Sequence, residues 1–527
     1  MSAAATALAA PSSLLAKPVN KWGIAMAVSL GALLEIIDTS IVNVATTDIQ
    51  ASLGTTMTEV SWVVSGYAVA NVVILPLAAW LGQRFGKKSY FLFSLVGFTV
   101  ASVLCGMATT FPMLVVARVL QGLAGGGLMA KAQAILFETF PKEEQATAQG
   151  LFGAIVIAGP AIGPTLGGYL VTNIGWRWIF FVNVPVGIVA VLMSMAFLQE
   201  DGEKKNETPI DWTAIALLAV GLGAFQTVLE EGETDDWFSS RFIVTMSVAA
   251  AAGMVLFVAR QLRAKAPVVD LRILRYRSVW AGSLLSLVVG MALYGALFAI
   301  PLFAGGILQY TSQQVGMLLL PAAIASALAM PIAAKLVTRV DARVLFASGA
   351  LVMTTGLWMM ARLSPQTGAD DLFWPQIVRG FGTVLMFLPL QLAALGPVPK
   401  EDVAAASGFF NLTRQLGGSI GVALLTTLVD QRSAFHRSVI VEKLASGDPH
   451  VLDRVNSMTQ AMLAAGASFA DAQARAMALL DGVVQQQAAV MAFGDTFWAT
   501  TVLVLASLPL VLLLGKPAKG AKVAMGH

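Results

Sequence analysis

Two carboxylates and one guanidinium lie in the middle of stretches that are otherwise apolar: Glu35 and Asp38, three residues apart, and Arg118. An ionisable side chain at bilayer depth costs a few kcal/mol or more, so it lines a cavity or finds a partner. The spacing of Glu35 and Asp38 sets both on one helical face. A carboxyl taken out of water beside a second negative charge holds its proton more tightly, which is the property a proton-coupling site needs. Arg118 keeps its charge at every physiological pH, so it needs a carboxylate, backbone carbonyls or water close by. The static alternative is that Asp38 only accepts hydrogen bonds from a neighbouring helix and that Arg118 belongs to a buried pair fixing helix packing. Arg379 and Arg414 raise the same question further along the chain. Lys131 and Glu230 are read as snorkelling to the interfaces.

The elements that must position these groups are membrane helices. Of 527 residues, 57% are hydrophobic and 12% charged, and the mean hydropathy is +0.76, far more apolar than a soluble chain. The net charge of +3 and the lack of a clustered basic face exclude nucleic-acid binding. The single Cys105 excludes a disulfide framework and a thiolate metal site. Apolar runs of roughly 20 residues match the bilayer core, and about fourteen can be drawn. The first begins near Trp22 and the last, Phe497 to Leu514, ends the apolar chain.

Lys and Arg concentrate in alternate loops, with Arg84, Lys87, Lys88, Lys204, Lys205, Arg272, Arg339 and Arg343 on one side and only Arg177, Arg241 and Arg362 in the short opposite loops. This places both termini in the cytoplasm. An internal echo pairs Pro76-Leu77-Ala78-Ala79-Trp80-Leu81 and Arg84 with Pro331-Ile332-Ala333-Ala334-Lys335-Leu336 and Arg339, and Val116-Ala117-Arg118 with Ile377-Val378-Arg379. Two echoes in the same order point to a duplication. The expected layout is a cytosolic tail (1–21), a six-helix bundle (22–198), a linker with two inserted helices (199–262), a second six-helix bundle (263–514) with an external loop (430–495), and a second tail (515–527).

The fifth span holds Gly153, Gly159, Pro160, Gly163, Pro164, Gly167 and Gly168. Glycines 159, 163 and 167 form a stripe that lets helices approach closely, and the prolines remove ladder bonds, so the span reads as a rocking joint or as pure close packing. In the 430–495 connection, Phe469, Ala472, Ala476, Leu479, Leu480, Val483 and Val484 have helical spacing on one face, a solvated surface helix or a partner-docking element. Gly417-Gly418-Ser419-Ile420-Gly421 fits a nucleophile elbow by letters but has no strand before it. With no phosphate loop, no HExxH and no triad, the expectation is not an enzyme, with no cofactor, no metal, and an ion gradient as the energy source.

These stretches resemble the major facilitator superfamily, and within it the fourteen-span drug:proton antiporters of the EmrB/QacA type. The resemblance covers nearly the whole chain. Gly82-Gln83-Arg84-Phe85-Gly86-Lys87-Lys88 resembles the cytoplasmic gating loop between spans two and three, with Gln83 where the family has an Asp. Arg118-Val119-Leu120-Gln121-Gly122 resembles the fourth-span motif whose Arg is implicated in proton coupling, and Gly159-Pro160-Ala161-Ile162-Gly163-Pro164 the antiporter motif. Asp38-Thr39-Ser40-Ile41-Val42-Asn43 and Gly175-Trp176-Arg177-Trp178 through Asn183 and Pro185 resemble the fourteen-span branch. The resemblance implies an all-α polytopic protein of the bacterial inner membrane that exports hydrophobic or amphipathic compounds against a proton gradient, with Asp38, Glu35, Arg118, Gln121, Arg379 and Arg414 at the coupling site and cavity. It further implies a periplasmic adaptor and an outer-membrane channel as partners. The competing expectations are a dedicated exporter of one metabolite, fatty acid or siderophore, and a non-transporting membrane sensor or scaffold.

Overall fold

A computed structural model describes residues 20–200, 209–445 and 449–514. Both terminal tails beyond those limits, and with them Lys204, Lys205 and the basic C-terminal residues, lie outside the described residues. Among the described residues thirteen helices are long and apolar enough to cross a bilayer. In chain order, with the 32-residue helix Lys142–Asn173 added as α5, these are α1 (Lys21–Val44), α2 (Thr58–Phe85), α3 (Lys87–Gly106), α4 (Phe111–Thr139), α6 (Trp178–Phe197), α7 (Trp212–Glu231), α8 (Arg241–Arg263), α9 (Arg277–Gly306), α10 (Gln313–Val337), α11 (Ala342–Met360), α12 (Ala369–Leu395), α13 (Lys400–Leu444) and α14 (Phe469–Leu513). In lipid the backbone must satisfy its own hydrogen bonds, so a chain this apolar folds into helices throughout.

The apolar core is divided. Two of its clusters consist wholly of residues between Ile24 and Leu198. The largest draws on Ile273 to Leu514, with Ala134 and Phe137 of α4 reaching into it. Helices α7 and α8 pack on each other, at a contact where Gly221 and Gly253 bring the two backbones together, and α7 also lies against α2 and α13. Helix α5 sits at the seam, with α1 on one flank and α10 on the other.

The glycine stripe explains the seam. A Cβ on Gly159 would meet Ile36 at 2.4 Å, and one on Gly167 would meet Val44 at 2.6 Å. Gly163 faces Ser40, and Gly153 faces Met330 of α10. The helix runs unbroken through Pro160 and Pro164, and Pro164 and Gly168 are buried. What the stripe supplies in this conformation is close approach of α5 to α1.

The described residues of the 430–495 connection are helical well beyond the 469–484 stretch whose spacing reads as a helix. One helix continues without a break from Lys400 to Ala445, 46 residues, or about 69 Å at 1.5 Å per residue, roughly twice the ~30 Å hydrocarbon core. The helix Phe469–Ser507 extends likewise, and a third helix, Pro449–Ala464, packs beside it. The apolar face expected between Phe469 and Val484 is split: Ala472, Ala476 and Val484 are buried, whereas Phe469, Leu479 and Val483 are exposed.

Candidate functional site

Asp38 lies in the last turn of the α-helical part of α1, which ends at Ile41 and tightens into a 3-10 turn at Val42–Val44. Its carboxylate is fully buried, as is the Arg118 side chain of α4. Arg118 Nη1 donates to Asp38 Oδ2 at 2.5 Å and to Gln121 Oε1 at 2.7 Å, and its Nε donates to the Val63 carbonyl at 2.8 Å. Gln121 Nε2 and Asn183 Nδ2 both donate to Asp38 Oδ1 at 2.9 Å. Three donors therefore converge on one carboxylate, the acceptor pattern of its ionised form. The guanidinium also lies 4.4 Å from the Tyr67 ring centroid, a cation–π contact in a dry setting. Close packing makes this possible: Gly122 sits where a Cβ would lie 2.6 Å from the Tyr67 carbonyl, bringing α4 onto α2.

Glu35 shares a helical face with Asp38 but joins a separate network. Its Oε1 accepts from Asn71 Nδ2 at 2.7 Å and its Oε2 from the Met129 backbone N–H at 2.8 Å. The positive charges nearby are Lys131 and Arg414. Arg414 reaches across the seam from α13, donating to Met129 Sδ and, at 3.0 Å, to Asn411 Oδ1. Further polar bonds join the halves next to it: Ser407 Oγ to the Ala130 carbonyl at 2.9 Å, Asn411 Nδ2 to Gln133 Oε1 at 2.6 Å, and Gln391 to Gln149. Arg379 stands apart from all of these. It is buried, and its Nε and Nη2 both donate to Gln376 Oε1, at 3.1 and 2.8 Å.

Lys131 does not snorkel. It is 8% exposed, its Nζ donates to Ser94 Oγ at 2.6 Å, and it lies 4.1 Å from the Tyr90 ring centroid. A lysine is held inside rather than at the interface because α3 supplies a hydroxyl and a π face at its reach. Lys131 and Tyr90 border a cavity of about 230 Å³ whose wall includes Gly82, Gln83 and Lys87. Glu230 is likewise half-buried and hydrogen-bonded rather than extended to solvent.

In the loop between α2 and α3, Gly86 has φ +90°, a conformation L side chains avoid. Gln83 is exposed and Arg84 half-buried. Lys87 Nζ pairs with Glu138 Oε2 at 3.0 Å, and Lys400 of the second half donates to the Glu138 carbonyl at 2.9 Å. Lys88 donates to the Met195 carbonyl at 3.2 Å. Glu138, at the end of α4, thus supplies a negative charge to this loop, which carries Gln83 rather than an acid.

Sequence reasoning alone missed Asn183, Asn71, Ser102, Gln133 and Asn411 as members of these networks. A signal existed for Asn71 and Asn183, amides inside apolar spans that must find partners in lipid. Ser102 bridges Asn183 and the Phe180 carbonyl and had no such signal.

Residues 28–422 match the Major Facilitator Superfamily, and the chain belongs to that family. It is 31% identical over 497 residues to the multidrug export protein EmrB of Escherichia coli K12, covering 94% of this chain and 95% of that protein. Identity is 29% to the fatty acid resistance protein FarB of Neisseria gonorrhoeae, over 94% and 96% of the two chains, and 29% to the colistin resistance protein EmrB of Acinetobacter baumannii, over 90% and 92%. Among solved structures it superposes on the human organic anion transporter MFSD10 with a TM-score of 0.57 at 12% identity, covering 93% of this chain and 100% of that one, a likeness of fold. The chain is a multi-pass transporter-family protein of the bacterial inner membrane.

Proposed function

We propose that this chain is a proton-driven antiporter that exports hydrophobic or amphipathic compounds, drugs among them, by alternating access. One observation carries the reading: a buried Asp38–Arg118 pair, tied to Gln121 and Asn183, in a chain similar along almost its whole length to multidrug export proteins. A proton arriving at Asp38 cancels its charge and frees Arg118 to rely on Gln121 and the Val63 carbonyl, so α1, α2, α4 and α6 lose the link that holds them together. Loss of the proton on the cytoplasmic side restores it. The proton gradient then supplies the energy, with no cofactor.

The test is uptake of a fluorescent cationic dye and of an anionic drug into proteoliposomes under an imposed inside-acid gradient, comparing native protein with Asp38→Asn. Gradient-dependent uptake by the native protein, lost in the variant, is expected. Equal uptake by both would remove Asp38 from the mechanism, and no response by either would point to a dedicated exporter or a non-transporting role.

The helical hairpin formed by α13, the helix Pro449–Ala464 and α14 is the surface on which a periplasmic adaptor, and through it an outer-membrane channel, would dock. Deleting Val451 to Ala489 is expected to abolish adaptor co-purification. A dedicated fatty-acid exporter is the second reading, motivated by the similarity to FarB; competition of unrelated drugs for one site would count against it.

A further inference from the structure

Glu230 and Glu231 are consecutive residues in the last turn of α7, and a helix turns about 100° per residue, so they address different neighbours. Glu231 turns to α2, where Ser61 Oγ donates to its two oxygens at 2.9 and 3.1 Å. Glu230 turns to α13, where Ser419 Oγ donates to its Oε1 at 3.1 Å. Gln226, one turn earlier and fully buried, donates from Nε2 to Glu230 Oε1 at 2.7 Å and to Ser419 Oγ at 2.6 Å. Just past α7, Trp237 Nε1 donates to Thr427 Oγ1 of α13 at 3.1 Å. One helix end is therefore fastened to the first half by one carboxylate and to the second half by the next.

We infer that Glu230 is a second proton-responsive residue of the transport cycle, the releasable side of a clasp by which α7 ties the two halves together. The inference rests on the antiport reading. Asp38 has a guanidinium, whereas every partner of Glu230 is neutral. The charged group beside it is Glu231; α2 presents Ser61 and α13 presents Ser419 and Thr427, none of them charged. A second observation points to the protonated state. Gln226 Oε1 is buried with no hydrogen-bond partner among the described residues, a costly arrangement. Once Glu230 carries a proton it becomes a donor, and the Gln226 amide, turned over, offers Oε1 to receive it. The turned amide withdraws Nε2 from Ser419, and the fastening of α7 to α13 is loosened to the Ser419–Glu230 bond and the Trp237–Thr427 bond beyond it. Ionised Glu230 keeps the seam shut at this end and protonated Glu230 lets it part. Glu231, with Ser61 on both oxygens, is the α2 side of the fastening.

The experiment uses full-length protein in proteoliposomes, with the native Cys105 replaced (Cys105→Ala) and a cysteine pair introduced by Gln226→Cys and Ser419→Cys. Disulfide formation is expected to lower gradient-driven uptake at least tenfold, with recovery on reduction; uptake undiminished by the cross-link would overturn the clasp. Separately, Glu230→Gln is expected to flatten the dependence of uptake rate on the pH of the compartment that faces this end of α7. Glu230→Asp is expected to keep that dependence. A native pH profile in Glu230→Gln would overturn the proton response. Failure of the native protein to transport on a gradient would sink the antiport reading itself, whereas loss of transport in Asp38→Asn alongside an unchanged profile in Glu230→Gln would sink only this inference.

Discussion

Arg118 and Arg379 stand at matching places in an internal repeat, each following a Val-Ala or Ile-Val pair in the fourth helix of its half, and their surroundings differ. Arg118 is met by a carboxylate, the Gln121 amide oxygen, the Val63 carbonyl and an aromatic face. Arg379 is met by the oxygen of Gln376, which is itself oriented by a 3.3 Å bond from its Nε2 to the Leu318 carbonyl. The two matching positions share the cation, but among the described residues only Arg118 has a carboxylate hydrogen-bonded to it. A paired cation can be switched by a proton on its partner; a cation held only by an amide has no such handle. Under the antiport reading proposed above, this asymmetry would put the coupling in the first half, with the second moving in response.

The largest expected effect breaks the paired side. Asp38→Ala leaves the Arg118 charge buried without a counter-ion, and removing one partner of a buried pair costs about 3–5 kcal/mol. Thermal unfolding in detergent should show a marked loss of stability. Arg379→Met removes a buried charge that has no acid beside it among the described residues and should show no comparable loss. If the two variants were destabilised equally, Arg379 would have a counter-ion and the contrast between the halves would fall.

A smaller effect tests what the halves share. A Cβ on Gly122 would sit 2.6 Å from the Tyr67 carbonyl, and one on Gly382 would sit 2.3 Å from the Met353 backbone nitrogen. Overpacking against backbone costs about 1–3 kcal/mol, so Gly122→Ala and Gly382→Ala should lower the unfolding temperature alike. Unequal losses would mean that the matching sequence positions do not serve matching contacts. In addition, Gly122→Ala should impair transport more, since it shifts α4 against the helix whose Val63 carbonyl holds Arg118.

The contrast also marks how far residues alone carry. The helices and the burial of Asp38 and Arg118 were legible because lipid leaves an apolar chain few choices and makes each intramembrane charge conspicuous. Which partner each charge takes was not. Glu35 and Asp38 share a face by spacing, yet one bonds to α2 and α4 and the other to α4 and α6, a division set by helix packing that no local pattern encodes. Lys131 was misread because the Tyr90 ring and Ser94 hydroxyl that hold it lie some forty positions away. The helical spacing over 469–484 was legible, but that the flanking helices run on into the 430–495 segment was not, because polar composition marks the end of a membrane span but not of a helix.

The smallest expected effect comes from an ion pair of the same residue types at the surface. Asp211 caps α7, accepting from the Ala214 N–H at 3.0 Å, and pairs with Arg260 at 2.8 Å. The hydrogen bonds from Arg260, aided by the backbone N–H groups of the cap, hold its carboxyl below the usual carboxylate range. A carboxyl with a depressed folded-state pKa contributes stability that is fully present above its unfolded value, about 3.9, and is lost as the pH falls through its folded value. Asp211→Asn keeps the cap and removes the charge. The difference in unfolding temperature between native protein and this variant should therefore be slight at pH 6, as for exposed pairs generally, and should vanish once the pH has fallen through the depressed folded value. A gap at pH 6 as large as that of Asp38→Ala would show that position within the bilayer, rather than the pairing itself, is not what separates the Asp38–Arg118 pair from the rest.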